Sequence, residues 1–186
     1  IVTCPSNQTI YADASCQGVI NDYTGSVVAS DNCTMVSNLT ITQSPAGSTT
    51  ISTTTAITIT VIDENLNSNT CVFNAIYIDT ISPAVVCPSD QTIAIDPSCQ
   101  YLMPDLSGSV GGTDNCSSLA NMTITQNPIA GSTQTGGTAV LITLNDEGGN
   151  SSTCIVNMIP DDTSAPTITC PSPSPVDLGS ACDFSL

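Results

Sequence analysis

The cysteines of this chain recur with a fixed period. Cys4, Cys87 and Cys170 each precede a proline and stand 83 residues apart. The same 83 residues separate Cys16, Cys99 and Cys182, then Cys33 from Cys116, and Cys71 from Cys154. About half of the residues at 1–83 return at 84–166, which marks an internal repeat. A unit this long exceeds the ~20–50 residues of most solenoid units. It suits one small domain that needs covalent pinning. The prediction is two whole repeats, 1–83 and 84–166, with residues 167–186 opening a third, incomplete one. The chain is accordingly expected to be a window onto a longer tandem array.

Ten cysteines without a single histidine point to an oxidising compartment, outside the cell or on its surface. Zinc is the rival use of so many thiols. It lacks support here, because short C-x-x-C pairs and histidine co-ligands are both missing.

Charge narrows the functions further. The 186 residues hold 16 acids and no Lys, Arg or His, a formal charge of −16. Nucleic-acid binding needs basic side chains on phosphate, so it is excluded. Attraction to an anionic membrane surface is excluded on the same ground. No apolar run approaches the ~18 residues of a membrane-spanning helix. There is no His base, no Schiff-base Lys and no Arg clamp. Paired carboxylates are the one acid–base device left, but they recur in loops of both repeats beside no aromatic cleft. With 4 Tyr, 2 Phe and no Trp, an aromatic carbohydrate platform is not expected either. The chain is expected not to be an enzyme.

The local pattern is all β. Ala56-Ile-Thr-Ile-Thr-Val-Ile62 alternates apolar residues with Thr, as a half-buried strand does, and Ala139–Leu144 is its twin. Asn38–Thr42 and Asn121–Thr125 form a second pair of strands, and Cys71–Ile78 reads as another. Gln8–Tyr11 and Gln17–Ile20 read as the first two strands, joined through a turn at Asp13-Ala-Ser15. Short strands between Gly, Pro, Asn and Ser turns predict an antiparallel β-sandwich of immunoglobulin-like type. The linkers Asp79-Thr-Ile-Ser-Pro83 and Asp162-Thr-Ser-Ala-Pro166 are short and end in Pro, so consecutive repeats are expected to be stiffly coupled.

Three motifs together carry a resemblance. D-T-x-x-P-x-x-x-C-P runs from Asp79 to Pro88 and again from Asp162 to Pro171. D-N-C follows at Asp31–Cys33 and Asp114–Cys116, then D-x-x-x-N-x-x-x-C at Asp63–Cys71 and Asp146–Cys154. The chain resembles the hyalin-repeat (HYR) domain, an immunoglobulin-like sandwich of extracellular adhesive proteins. Its four-cysteine form resembles tandem copies in very large Bacteroidota surface adhesins, including those of gliding motility and type IX secretion. Two segments depart from the pattern: Thr53-Thr54 stands where the second repeat has Gly136-Gly137, and Asn65-Leu66 replaces a usual Gly.

The resemblance also bears on disulfide connectivity. Animal members keep only the first and fourth cysteines, which implies Cys4–Cys71 and Cys87–Cys154. The remaining pairs would then be Cys16–Cys33 and Cys99–Cys116. That second assignment has weaker topological support, since Cys16 is expected at the pole opposite Cys33. A sequential pattern, Cys4–Cys16 with Cys33–Cys71, is the rival.

The acids are the candidate site. Asp31, Asn32, Asp63 and Glu64 should share one end of the first repeat. Asp114, Asn115, Asp146 and Glu147 should do so in the second, close to the incoming Asp79. Carboxylates and amide carbonyls without cations are what Ca²⁺ coordinates with its six to eight oxygen ligands. The plainer reading is that Asp and Asn make Asx-turns to their own backbone. No loop has EF-hand spacing. Asp79-Thr80-Ile81 resembles the short O-glycosylation signal of Bacteroidota, with Thr80 as acceptor; the plainer reading is a linker turn. Asn-x-Ser/Thr sequons begin at Asn7, Asn32, Asn38, Asn115, Asn121 and Asn150, and many such sequons arise by chance in so Thr- and Ser-rich a chain.

The function expected is structural: a stiff spacer in a cell-surface adhesin or filament, advancing about 35–45 Å per repeat from strands rising ~3.3 Å per residue. Its partners would be further repeats of the same chain, with surface glycans or a substratum met through other regions, and lateral self-association between chains. No cofactor is required in this reading, with Ca²⁺ as the candidate ion. One alternative is a glycan- or protein-binding module using the variable stretches 46–54 and 129–137. Another is an accessory array on a secreted hydrolase.

Overall fold

The computed structural model describes residues 1–169; the third repeat's Cys170 and Cys182 lie outside the described residues. The first repeat places β2 (Gln8–Tyr11), β5 (Thr40–Ser44), β7 (Thr55–Ile62) and β8 (Ser68–Ile78) in one sheet, in the order β2-β8-β7-β5. Facing it are two short ribbons. One pairs β1 (Val2–Thr3) with β4 (Val28–Ala29), the other β3 (Gly18–Val19) with β6 (Thr50–Ile51).

The second repeat repeats this plan. Its four-stranded sheet runs β10 (Gln91–Ala94), β16 (Ser151–Asp161), β15 (Thr138–Asn145), β13 (Thr123–Asn127). Its ribbons pair β9 (Ala84–Val86) with β12 (Gly111–Thr113), and β11 (Gln100–Leu102) with β14 (Thr133–Thr135). The chain is an all-β tandem of immunoglobulin-like sandwiches.

The alternation read from the sequence drives the packing. In β7, Ile57, Ile59 and Val61 are buried, and the Thr residues between them take the other face. Across the ladder, Ile57 faces Phe73 and Thr55 faces Ala75, so β8 sends Phe73 and Ala75 into the same core. Tyr23 closes it, edge-on to Phe73 with ring centroids 5.2 Å apart. The second core is separate, built on Tyr101, Met103, Val140, Ile142, Val156 and Met158.

Three details differ from the sequence reading. The sandwich is not purely antiparallel, because β2 runs parallel to β8 and β10 parallel to β16. Gln8–Tyr11 is not the first strand, since β1 precedes it. The turn at Asp13 carries the chain from one sheet to the other: β2 joins β8, whereas β3 joins β6. Finally, the strand expected from Asn38 starts at Thr40, because Val36–Asn38 forms a single 3-10 turn.

One size exchange distinguishes the repeats. A Cβ on Gly18 would collide with Ile10 and meet the Tyr77 ring at 3.4 Å. The second repeat has Tyr101 at the Gly18 position and Pro160 at the Tyr77 position. Tyr101 packs in the second core, whereas the half-buried Tyr77 lies against Gly18 in the first repeat.

Candidate junction site

Cys4 lies just after β1 in the ribbon layer, and Cys71 lies in β8 of the facing sheet. Their bond, with Cα atoms 5.7 Å apart, pins the two layers together. Cys87–Cys154 does the same in the second repeat, at 6.1 Å. The remaining assignments are corrected by the structure. Cys16 is bonded to neither Cys33 nor Cys4; it is bonded to Cys116 of the other repeat, with Cα atoms 4.8 Å apart. The Cys99–Cys116 pairing therefore fails as well, and Cys33 and Cys99 are exposed thiols. The reason is geometric. Cys16 follows the Asp13 turn at the end of β2, the end at which β8 runs into the linker. Cys33 follows β4 at the opposite end, where β1 begins. Two cysteines at opposite poles of one sandwich do not meet, whereas the exit pole of one repeat abuts the entry pole of the next.

The turn that presents Cys16 is built locally. Asp13 Oδ1 accepts from the backbone N–H groups of Ser15 at 2.8 Å and Gln17 at 2.9 Å. This holds Cys16 at φ 58°, a left-handed conformation that few residues adopt. On the other side, Asp114 Oδ2 accepts from the N–H groups of Cys116 and Ser117, both at 2.9 Å. Tyr77 covers the bond, its hydroxyl 3.1 Å from Cys16 Sγ and 3.3 Å from Cys116 Sγ. Burial raises the Tyr77 pKa above the ordinary tyrosine value, and the Asp79 and Asp13 carboxylates add to that. Tyr77 was not singled out from sequence. Its signal was the Gly18/Tyr77 and Tyr101/Pro160 exchange between the repeats.

The acids gather at the same junction. One carboxylate oxygen from each of Asp79, Asp114 and Asp146 lies within 4.8 Å of the others. Asp79 and Asp146 are each only 8% exposed. Asn115 Nδ2 donates to the Asp13 carbonyl at 3.0 Å and to Asp79 Oδ1 at 3.3 Å, tying both repeats to one side chain. Asn150 Nδ2 reaches the Asp79 carbonyl at 3.2 Å and Asp146 Oδ2 at 2.9 Å. Pro83, which ends the linker, is fully buried, and Thr80 is exposed.

Hydrogen bonds account for only part of this cluster. Asp79 Oδ2, Asp114 Oδ1 and Asn115 Oδ1 are buried without a partner. Each buried acceptor left without a donor, cation or water is costly. Glu147 lines the same junction cavity but is not one of the three convergent acids, and its Oε2 accepts from Asn121 Nδ2 at 3.2 Å. Glu64 is held the same way by Asn38, at 2.9 Å.

At the outer pole of the first repeat, the same turns form, with no second repeat against them among the described residues. Asp31 Oδ2 accepts from Cys33 N and Thr34 N at 3.0 Å each, and these bonds lower the Asp31 pKa, Cys33 first. Asp63 is bracketed by Asn67, whose N–H and Nδ2 both donate to it at 2.8 Å. Asp31 and Asp63 line one cleft with Ile1 and Asn67, while Asn32 is exposed beside them. Local hydrogen bonds thus occupy both oxygens of Asp63 and Asp146, whereas Asp79 and Asp114 at the junction each keep one buried oxygen without a partner.

No protein-family model matches the chain, and no curated protein matches it. Among solved structures, it is similar to PcdhgB3 EC1-4, with 13% identity, 88% of this chain and 50% of that chain covered, and a TM-score of 0.39. Human mucin-like protocadherin EC1-2 is similar at 6% identity, over 88% of this chain and 99% of that one, with a TM-score of 0.36. Sidekick-1 immunoglobulin domains 1-4 match at 10% identity, over 87% and 52%, with a TM-score of 0.26. The chain spans about half the length of the first and last of these. At such identities and TM-scores, nothing those proteins do is carried over. Among the described residues, no helix is long and apolar enough to cross a membrane.

Proposed function

We propose that the chain is a load-carrying spacer segment of an extracellular adhesive stalk, built from HYR-like repeats of a Bacteroidota-type surface adhesin. The observation that carries this reading is the Cys16–Cys116 bond. A single peptide linker lets neighbouring domains pivot. Here a second covalent tie joins the repeats beside the short Asp79–Pro83 linker, and two ties remove most of that pivot. Rigidity along the chain is what a spacer needs to hold a distal region away from a cell, and it is of little use to a flexible tether. The absence of Lys and Arg leaves trypsin-like proteases no site, which suits an exposed fibre. A role in gliding motility and export by type IX secretion rest on the HYR resemblance alone.

Calcium belongs to the same proposal. The donor set fits a hard cation, since the orphaned atoms are all oxygens and no cationic side chain competes. Asp79, Asp114 and Asp146 would hold the ion. It would neutralise converging carboxylates and lock the linker to the loops of the second repeat.

The test is immunolabelling of living source cells with an antibody raised against one repeat. Label along surface-attached fibres is the expected outcome, and label that travels with gliding cells extends it to motility. Label found only in the medium, co-purifying with hydrolytic activity, overturns the stalk in favour of an accessory array.

A further inference from the structure

The outer ends of the two repeats carry the separate halves of the junction that the middle closes. In the middle, the second cysteine of one repeat, Cys16, is bonded to the third cysteine of the next, Cys116. The same two positions stand as exposed thiols at the outer poles. Cys99 is the counterpart of Cys16, and Cys33 is the counterpart of Cys116.

Each thiol is held in the backbone geometry of its bonded counterpart. Cys99 has φ 59° against 58° for Cys16. Asp96 Oδ1 accepts from Ser98 N at 2.8 Å and Gln100 N at 2.9 Å, as Asp13 does from Ser15 and Gln17. Asp31 braces Cys33 as Asp114 braces Cys116. What differs is cover. Asp114, Asn115, Cys116 and Asn150 are half-buried against the first repeat, whereas Asp31, Asn32, Cys33 and Asn67 are exposed. Asp79 is buried, and its counterpart Asp162 is exposed. The chain itself opens the cysteine pattern again after Pro166, with Cys170-Pro171 and Cys182. By sequence, the chain after the second repeat is thus more of the same repeat.

We propose that each outer pole docks a further copy of the same repeat and is sealed by a disulfide, Cys99 of one copy to Cys33 of another. The inference rests on the equivalence of the repeats and stands whether or not the chain serves adhesion. A disulfide oxidant drives the step, with glutathione disulfide as the concrete case. The Cys99 thiolate attacks one glutathione sulfur, forms a mixed disulfide and expels a glutathione thiolate. The Cys33 thiolate of the second copy then attacks the Cys99 sulfur and expels the second glutathione. Two protein thiols lose two protons and two electrons, and one oxidant disulfide becomes two thiols.

The test uses the 186-residue chain at about 1 mM, matching the effective concentration that a short linker supplies. It is incubated with glutathione disulfide, alkylated, and separated without reductant. Peptic digestion maps the bonds, since trypsin has no site. The expected result is a ladder of oligomers joined through Cys99–Cys33 peptides, with Cys16–Cys116 retained. A mixture of Cys33→Ser chains and Cys99→Ser chains should stop at a dimer, Cys99 of the first joined to Cys33 of the second. Neither substituted residue is bonded in the monomer, and recovery of Cys4–Cys71 and Cys87–Cys154 peptides confirms that both variants fold. Recovery of both thiols as alkylated monomer overturns the proposal. So does Cys33 joined to Cys33 and Cys99 to Cys99 as often as random collision gives, or Cys99 joined to Cys170 or Cys182.

Discussion

Cys16 and Cys116 are 100 residues apart in sequence, yet their Cα atoms lie 4.8 Å apart across the junction of two separately packed cores. The bond therefore acts on a different quantity from the other two. Cys4–Cys71 and Cys87–Cys154 each cross-link the layers of one core. Cys16–Cys116 leaves both cores as they are and fixes one against the other.

Replacing both Cys16 and Cys116 by Ser is expected to leave the packing of each core intact, since neither residue belongs to a core, and to lower stability only through the freer unfolded chain. The junction should loosen instead. Amide exchange should quicken at Ile81, whose N–H donates to Asp79 Oδ1 at 3.1 Å, and along the linker around it. Hydrogen-exchange mass spectrometry of the peptic fragments checks this. Exchange that quickens in β7 and β15 as much as along the linker would contradict the assignment.

The within-repeat bonds each act on one core. Cys4 and Cys71 close a separation of 67 residues, for which loop-closure entropy gives about 4 kcal/mol. That is a large share of the ~5–15 kcal/mol stability of a small domain. Cys4→Ala with Cys71→Ala is expected to lower the first repeat's transition and leave the second's in place. Calorimetry should then show two transitions, and one shared transition would mean that the cores do not unfold separately.

The sequence was most informative where one residue's environment is set by its near neighbours. Ile57, Ile59 and Val61 alternate with Thr, and the period alone placed them on the buried face. The Asp31 and Asp114 turns were readable for the same reason, because their bonds reach only two or three residues along the chain. Cys16 was not readable in that way. Its partner belongs to the neighbouring repeat, and an 83-residue period looks the same whether equivalent cysteines pair within a unit or between units. The parallel pairing of β2 with β8 was hidden likewise, since alternation fixes which face a residue takes but not which strand lies alongside.

Calcium should act at the inner junction and not at the outer pole. Among the described residues, Asp79, Asp114 and Asp146 are the acids whose oxygens converge. Titration calorimetry is expected to find a site that Asp114→Asn weakens at least about tenfold, a loss of ~1.4 kcal/mol. Asp31→Asn should leave that site unchanged. Calcium at 100 times its dissociation constant should stabilise the docked junction by about 2.7 kcal/mol. Equal losses from the two variants would mean diffuse binding to an acidic surface.

Tyr77 gives the junction an alkaline limit. Burial, with the Asp79 and Asp13 charges, raises its pKa in the folded protein. The folded state thus holds the phenolic proton more tightly than the unfolded state, where the ordinary value is about 10. The stabilisation is whole below that value and is lost as the pH rises through the folded pKa, because the unfolded state releases its proton first. Denaturant titrations from about pH 9 to 12 should show stability falling on the alkaline side. Tyr77→Phe keeps the ring against Gly18 but removes the titrating hydroxyl and its contact with Cys16 Sγ and Cys116 Sγ. That variant should flatten the alkaline slope and leave the slope at neutral pH unchanged. An unaltered alkaline slope in Tyr77→Phe would place the titrating group elsewhere.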